Sequence, residues 1–275
     1  MRFIALFLAC TAFAVPAYAQ QNRKPSHCIS LVQNTPGLAV VQKAAFRDPL
    51  PDYTVRLNFI AHAMFLLETP GGQSAVTDYT GFLGGVDFVP DVATMNRAHS
   101  SHWTTDPDPR IPHLLPGWDF ETGRADHYVE TGDLVVRNVT TDIRSYSSED
   151  GKDGNSIFVF ETAGLCIGHL GHLHHVPTPE QYAALGRLDV VMVPVDGGYT
   201  MDVNAMMDVV ERLRSSIVVP MHWFGSSTLE YFISEMSGTF AVERLGQPWL
   251  EVSLRTLPSR PTIMVLDPVY LRRDE

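Results

Sequence analysis

Two short runs constrain this chain most. Val190–Pro194 and Ile217–Pro220 are apolar throughout, so neither has a polar face to turn towards water. Between them, Val203–Leu213 carries apolar residues every three or four positions. Strands with no polar face, joined by an amphipathic helix, belong inside a sheet whose faces are covered. Further strands are predicted in the second half at 133–139, 156–161, 165–168 and 262–266. Thr178 followed by Pro179 predicts a capped helix that runs to Leu185 and closes at Gly186, and a third helix is expected over Thr228–Met236. The first half reads as strands alone: 54–60, 63–68 and 74–77, interrupted by Pro70-Gly71-Gly72, then Val92–Met95. The segments 106–131 and 145–153 carry no interpretable motif and are expected as loops that shape a pocket. Strands first, then strands alternating with helices, place the chain in the α/β (α+β) class.

At 275 residues, 45% hydrophobic and without internal repeats, the chain can bury the core of one sizeable domain. Three segments are expected. Residues 1–19 combine Arg2, an apolar run from Phe3 to Val15 and Ala17-Tyr18-Ala19, the pattern of a secretory signal peptide. That run is shorter than the about 20 residues a membrane span needs. Cys10 would suit a lipoprotein site, but Phe7 stands where such sites usually carry Leu, so cleavage after Ala19 fits better. Residues 20–52 read as an irregular lead-in, and 53–275 as the compact domain. The expectation is therefore an exported, periplasmic protein with no membrane span.

A formal net charge of −11 argues against nucleic acid as a partner. A small-molecule substrate, even an anionic one, stays compatible, because a bound dication reverses the local field. Export would put Cys28 and Cys166 where a disulfide is permitted. The apolar run around Cys166 favours the other reading, a small buried hydrophobe.

Seven of the eleven histidines fall in three blocks: Ala98-His99-Ser100-Ser101-His102, then His169-Leu170-Gly171-His172-Leu173-His174-His175, then Pro220-Met221-His222. Neutral imidazole is the commonest side-chain ligand for zinc-class ions, and ligands scattered in sequence imply a site that the fold assembles. The cysteines lack the spacing of a zinc knuckle, so cysteine ligation is not expected.

Taken in order, these blocks resemble the metallo-β-lactamase-fold hydrolases, in the branch similar to L-ascorbate-6-phosphate lactonase. The resemblance spans Thr54 to Asp267. It is carried by Ile60-Ala61-His62-Ala63-Met64, Val76-Thr77-Asp78, the His99 and His102 loop, Asp153-Gly154-Asn155-Ser156-Ile157, Gly168-His169-Leu170-Gly171, Pro194-Val195-Asp196-Gly197-Gly198-Tyr199 and Val219-Pro220-Met221-His222. It implies a four-layer αββα sandwich with metals at one edge of the facing sheets.

The family's signature loop, His-x-His-x-Asp-His, falls on Arg97-Ala98-His99-Ser100-Ser101-His102. Arg97 replaces the first histidine and Ser101 the aspartate, and a guanidinium cannot ligate. Where the family has a bridging aspartate, this chain has His172. The resemblance thus implies metal ligands His99, His102, His172 and His222, with Asp142 as an addition. One zinc, manganese or iron ion per chain is expected. His62 resembles a family position that is usually not a primary ligand, and Asp78 either orients a ligand or caps a loop.

Such an ion would supply hydroxide to an ester, lactone or phosphoester, with Asp142, His169 or His174 handling the proton and Arg97 binding an anionic group. Arg97 in a structural ion pair with an acid such as Asp78 is the other reading. Trp103, Trp223 and Phe224 are either pocket walls or core. Two alternatives remain open: a catalytically impaired relative that binds a small ligand without turnover, and a metal carrier using the cluster from 169 to 175.

Overall fold

A computed structural model of the protein describes residues 26–29, 48–119, 121, 123–145 and 151–272. The expected signal peptide and most of the lead-in lie outside the described residues. Along the chain come β1 (Val55–Ala61), β2 (Met64–Glu68), β3 (Ser74–Val76), β4 (Val92–Met95), β5 (His113–Pro116), β6 (Tyr128–Thr131), β7 (Leu134–Thr141), β8 (Asn155–Thr162) and β9 (Leu165–His169). Then follow α1 (Pro179–Leu185), β10 (Val190–Pro194), α2 (Val203–Leu213), β11 (Ile217–Met221), α3 (Ser226–Met236), β12 (Ala241–Arg244), β13 (Trp249–Val252) and β14 (Thr262–Val265).

These strands form two mixed sheets, a six-stranded one ordered β13-β1-β2-β3-β4-β5 and an eight-stranded one ordered β12-β14-β11-β10-β9-β8-β7-β6. The inner faces meet in one core, where Leu57, Phe59, Phe65 and Leu67 pack with Phe158, Phe160, Val190 and Met192. The other face of the eight-stranded sheet offers Val159, Val191, Val193 and Val218 to Met206, Val209, Val210 and Phe232 of the helices. Along β10, Val190 and Met192 thus face the opposite sheet, and Val191 and Val193 face helices. Alternation puts side chains on both faces of a strand, and here both faces are dry, hence the unbroken apolar run. Thr178 caps α1 and also forms a reciprocal capping box with Gln181.

The architecture is the α/β sandwich that the resemblance implied. Its helices are few, and among the described residues all three follow strands of the eight-stranded sheet. The outer face of the six-stranded sheet is covered instead by a loop-borne cluster with Tyr79, Leu83, Ile111, Trp118 and Leu271. No helix of the described residues is long and apolar enough to cross a membrane.

Four strands depart from the expectation: β5 and β6 lie in a segment read as loop, and β12 and β13 were not predicted. These four are the outermost strands of the two sheets. An edge strand has one ladder partner and more water, so its sequence shows neither a full apolar run nor clean alternation. The second departure concerns the cysteines. Cys28 and Cys166 are joined in a disulfide with Cα atoms 5.8 Å apart. Cys28 reaches β9 because its turn is held to the main domain, where its carbonyl accepts the Arg187 N–H at 2.8 Å.

Candidate metal centre

Strand order gathers the site at one edge. β9, β10 and β11 run parallel, with Met192 beside His169 and Pro194 beside Met221, so the loops that follow them emerge side by side. They carry His172, Asp196 and His222. From the other sheet, the loops after β3 and β4 bring Asp78, His99 and His102, and the β1–β2 turn brings His62. Ligand sites at the carboxyl ends of parallel strands are the rule in open α/β sheets.

His102 is fully buried, and its Nδ1 lies 2.5 Å from Oδ2 of Asp78, also fully buried. Asn96 donates to the other carboxylate oxygen at 2.9 Å, and its own Oδ1 accepts the Ser156 N–H at 2.8 Å from the opposite sheet. Burial opposes ionisation of Asp78, but His102, His169 and the Asn96 hydrogen bond outweigh it and hold the carboxyl below its usual range. An ionised Asp78 accepts the hydrogen bond from His102 Nδ1–H, which leaves Nε2 as a lone pair.

His222 also has a carboxylate beside it, at ion-pair distance and without a hydrogen bond to its Nδ1. Its Nδ1 lies 3.1 Å from Oδ1 of Asp196. Asp196 accepts the N–H groups of Gly198 at 2.9 Å, Tyr199 at 2.5 Å and Thr200 at 3.1 Å, and the Thr200 hydroxyl. Burial again opposes ionisation, and His222 and these donors again prevail, so this carboxyl too is held low. The two Nε2 atoms then face each other at 3.0 Å. With the proton of each ring on Nδ1, beside its carboxylate, the two Nε2 lone pairs would repel at that separation, and a cation between them removes the repulsion. A histidine whose far nitrogen is fixed by a carboxylate is the usual form of a metal ligand.

His62 completes the group, with ring nitrogens of His62, His102 and His222 all within 4.8 Å of one another. Its ring centroid is 3.8 Å from that of His222. Burial, followed by the neighbouring His222 and His102, lowers it to about 3, so it is neutral at pH 7 and able to ligate. The backbone is strained at this edge: His62, Asp78 and His222 have φ of 51°, 44° and 65°. Each non-glycine residue in that region costs about 1 kcal/mol, held here by surrounding structure. The bracing is visible, since the His222 N–H donates to the His62 carbonyl at 2.8 Å. The Thr77 hydroxyl accepts from Phe65 N–H at 2.9 Å and donates to the Ala63 carbonyl at 3.0 Å.

The other predicted residues are placed as follows. His172 is buried, its ring 4.8 Å from His102 and 5.0 Å from His222. Its own backbone N–H donates to Asn155 Oδ1 at 2.7 Å. Gly171, at φ 60°, lets the chain pass so close that a Cβ there would lie 2.4 Å from Asn96 Nδ2 and 2.5 Å from Asn155 Oδ1. His99 is exposed at the mouth, 4.8 Å from the His172 ring. Burial, with His102 and His222, lowers its pKa. Arg97 is half-buried in the same loop.

His169 and Asp142 stand apart from the cluster. His169 is buried, its Nε2 2.8 Å from the Ala63 carbonyl while its Nδ1 accepts the Gly171 N–H at 3.2 Å. Both of its nitrogens are thus engaged by backbone, which leaves none to shuttle a proton. Asp142 is exposed and its Oδ1 accepts the Asp153 N–H at 2.9 Å across the β7–β8 connection, a loop-capping arrangement. Trp103 packs on Trp118 and Trp223 on Phe59, as core. Phe224 and Tyr199 instead stand 67% and 61% exposed at the mouth, ring centroids 5.1 Å apart. Beside them opens a cavity of about 290 Å³ lined by His99, Ile143, Arg144, His174 and Tyr199.

Sequence reading missed two members. His62 was set aside, although a histidine inside the apolar run from Ile60 to Met64 was a signal. Asp196 gave one signal, an acid two residues beyond the end of a buried parallel strand.

Comparison with known proteins agrees with this fold. The family model described as "Beta-lactamase superfamily domain" matches residues 56–222, more than half of the chain. A UPF0173 protein of Pyrococcus furiosus is 25% identical over 191 residues, covering 62% of this chain and 83% of that protein. A protein named UPF0173 metal-dependent hydrolase, from Thermoplasma acidophilum, is 29% identical over 92 residues, covering 34% of this chain and 40% of that protein. A solved structure from Thermotoga maritima, assigned to the Zn-dependent hydrolases of the metallo-β-lactamase superfamily, superposes with a TM-score of 0.55 at 27% identity. It covers 77% of this chain and 98% of that one.

Proposed function

Because the chain belongs to the β-lactamase superfamily, among its metal-dependent hydrolases, we propose that it hydrolyses a small ester, lactone or phosphoester at a single-metal site. The observation that carries this reading is the pair of carboxylate-backed histidines, His102 and His222, with Nε2 atoms facing at 3.0 Å. These two and His62 would hold the ion, a zinc-class metal suited to imidazole. Bound there, it supplies a water of lowered pKa and polarises the substrate's carbonyl or phosphoryl group. Arg97, which cannot ligate, and Ser101, at best a weak ligand, favour one ion over two.

The protein's own groups do the rest. Asp78 and Asp196 fix the tautomers and directions of His102 and His222. Phe224 and Tyr199 give the mouth an apolar lip that fits a substrate with an apolar portion, and His99 stands where the polar end enters. Export is part of the proposal: the pattern of residues 1–19 supports it, and so does the Cys28–Cys166 disulfide, a bond that persists in oxidising compartments.

The test is metal content after dialysis, for wild type and for His102→Ala and His222→Ala, paired with turnover of chromogenic esters, lactones and phosphodiesters. About one ion per chain, absent from both variants along with turnover, is the expected result. A folded wild type that retains no metal from a metal-supplemented preparation defeats the enzymatic reading. It would leave the impaired relative that Arg97 and Ser101 suggest.

A further inference from the structure

The position where sequence placed a fourth ligand, His172, has a different chemical character once its neighbours are followed outward. The backbone N–H of Arg144 donates to Nδ1 of His174 at 2.8 Å. A backbone amide has only a donor to offer, so His174 Nδ1 is a lone pair and its ring proton is on Nε2. That proton is directed at backbone, with Nε2 2.8 Å from the Tyr199 carbonyl. The same Nε2 lies 3.0 Å from Nδ1 of His172. A second N–H cannot point at it from His172, because two protons would meet in that gap. His172 Nδ1 is therefore an acceptor, and in the neutral ring its proton belongs to Nε2.

His172 Nε2 is buried and has no hydrogen-bond partner among the described residues. A donor left unsatisfied in a dry place is costly and asks for something that arrives later. The contrast with His102 and His222 is set by the outer partner. The Asp78 carboxylate, hydrogen-bonded at Nδ1, keeps the Nε2 of His102 as a lone pair, and Asp196 lies 3.1 Å from Nδ1 of His222. A donor at Nδ1 of His172 makes its Nε2 an N–H.

Building on the hydrolase reading, we propose that His172 is not a metal ligand but a catalytic residue. It donates a hydrogen bond from Nε2 to the substrate oxygen that gains negative charge as hydrolysis proceeds, and it keeps its proton throughout. His174 is the positioning residue that sets the His172 tautomer, and the Arg144 amide and the Tyr199 carbonyl hold His174. A fixed donor aimed at developing charge in a water-poor site is an effective form of transition-state stabilisation.

The experiment is a long-range ¹H–¹⁵N correlation spectrum of histidine-labelled full-length protein, metal-free and zinc-loaded, together with zinc stoichiometry and turnover of His172→Ala. His172 should show a protonated Nε2 and an unprotonated Nδ1 in both forms. His172→Ala should retain zinc within about twofold of wild-type affinity while kcat falls about 10²–10³-fold. A His172 that carries its proton on Nδ1, or a His172→Ala protein that loses zinc as His222→Ala does, overturns the proposal. If wild type itself retains no zinc, the metal reading has failed separately, and the metal-free spectrum still decides the tautomer.

Discussion

Charged and polar side chains are buried at both ends of this sandwich, and the two ends treat them in opposite ways. At the end away from the histidine cluster, Arg137 donates from Nε to Glu161 at 2.7 Å and from its two amino groups to the Ala184 and Leu185 carbonyls, each at 2.8 Å. Ser26 donates to the same Glu161 at 2.6 Å, and the Cys28–Cys166 disulfide ties the lead-in to the sheet. Arg56, 1% exposed, pairs with Glu251 at 2.7 Å and Glu68 at 3.5 Å. There the burial cost of each charge is met inside the protein. At the histidine edge, three backbone positions are strained, the Nε2 atoms of His102 and His222 face each other, and His172 Nε2 and His222 Nδ1 are buried without a hydrogen-bond partner among the described residues. Satisfaction within the fold marks structure, and satisfaction deferred marks a site.

That contrast can be broken most decisively at the structural end. Arg137→Met leaves Glu161 buried without its main counter-charge, and the expected cost is about 3–5 kcal/mol of stability. Urea unfolding should show it, while zinc-loaded protein keeps as much zinc after dialysis as wild type does. Loss of zinc with stability would mean that the two ends are not separable. At the site end the expected pattern is reversed. Asp78→Asn keeps a side chain of the same shape but removes the carboxylate that fixes His102, and zinc affinity should fall about 10–100-fold. A chelator-competition titration measures this, and an unchanged affinity would remove Asp78 from the site.

The smallest effect is a pH dependence. His62 and His174 are lowered to about 3 and about 4, with burial the largest cause in each. In the unfolded chain both return to about 6.5. Between those values the unfolded state binds more protons, so stability rises with pH and is lost as pH falls from 7 towards 5. Partial solvent exposure screens the effect, leaving about 1 kcal/mol in chelator-treated protein. Thermal unfolding at pH 7 and pH 5 should differ accordingly, and identical curves would show that these rings are not held neutral by burial.

Much of the fold was legible because burial writes itself into sequence where it is complete. β10 and α2 have the limits predicted from pattern, since their apolar faces meet other apolar faces. The four sheet-edge strands were not legible, because a strand with one partner needs no distinctive residues. At the site, His102 and His222 could be singled out by spacing and resemblance, and the structure sets them nitrogen to nitrogen. His62 and Asp196 could not be ranked above ordinary residues, since what distinguishes them is the turn geometry and the company of groups far away in the chain.

The sequence alone determined composition, the buried parallel strands, the helices between them and the kinds of atoms available to a metal. Only the tertiary structure decided what each histidine can do with its two nitrogens. His102, His169, His172 and His222 are the same side chain, yet Asp78, the Ala63 carbonyl, His174 and Asp196 give them different tautomers and tasks. An imidazole's chemistry is fixed by whichever partner takes its far nitrogen, and that partner is chosen by folding.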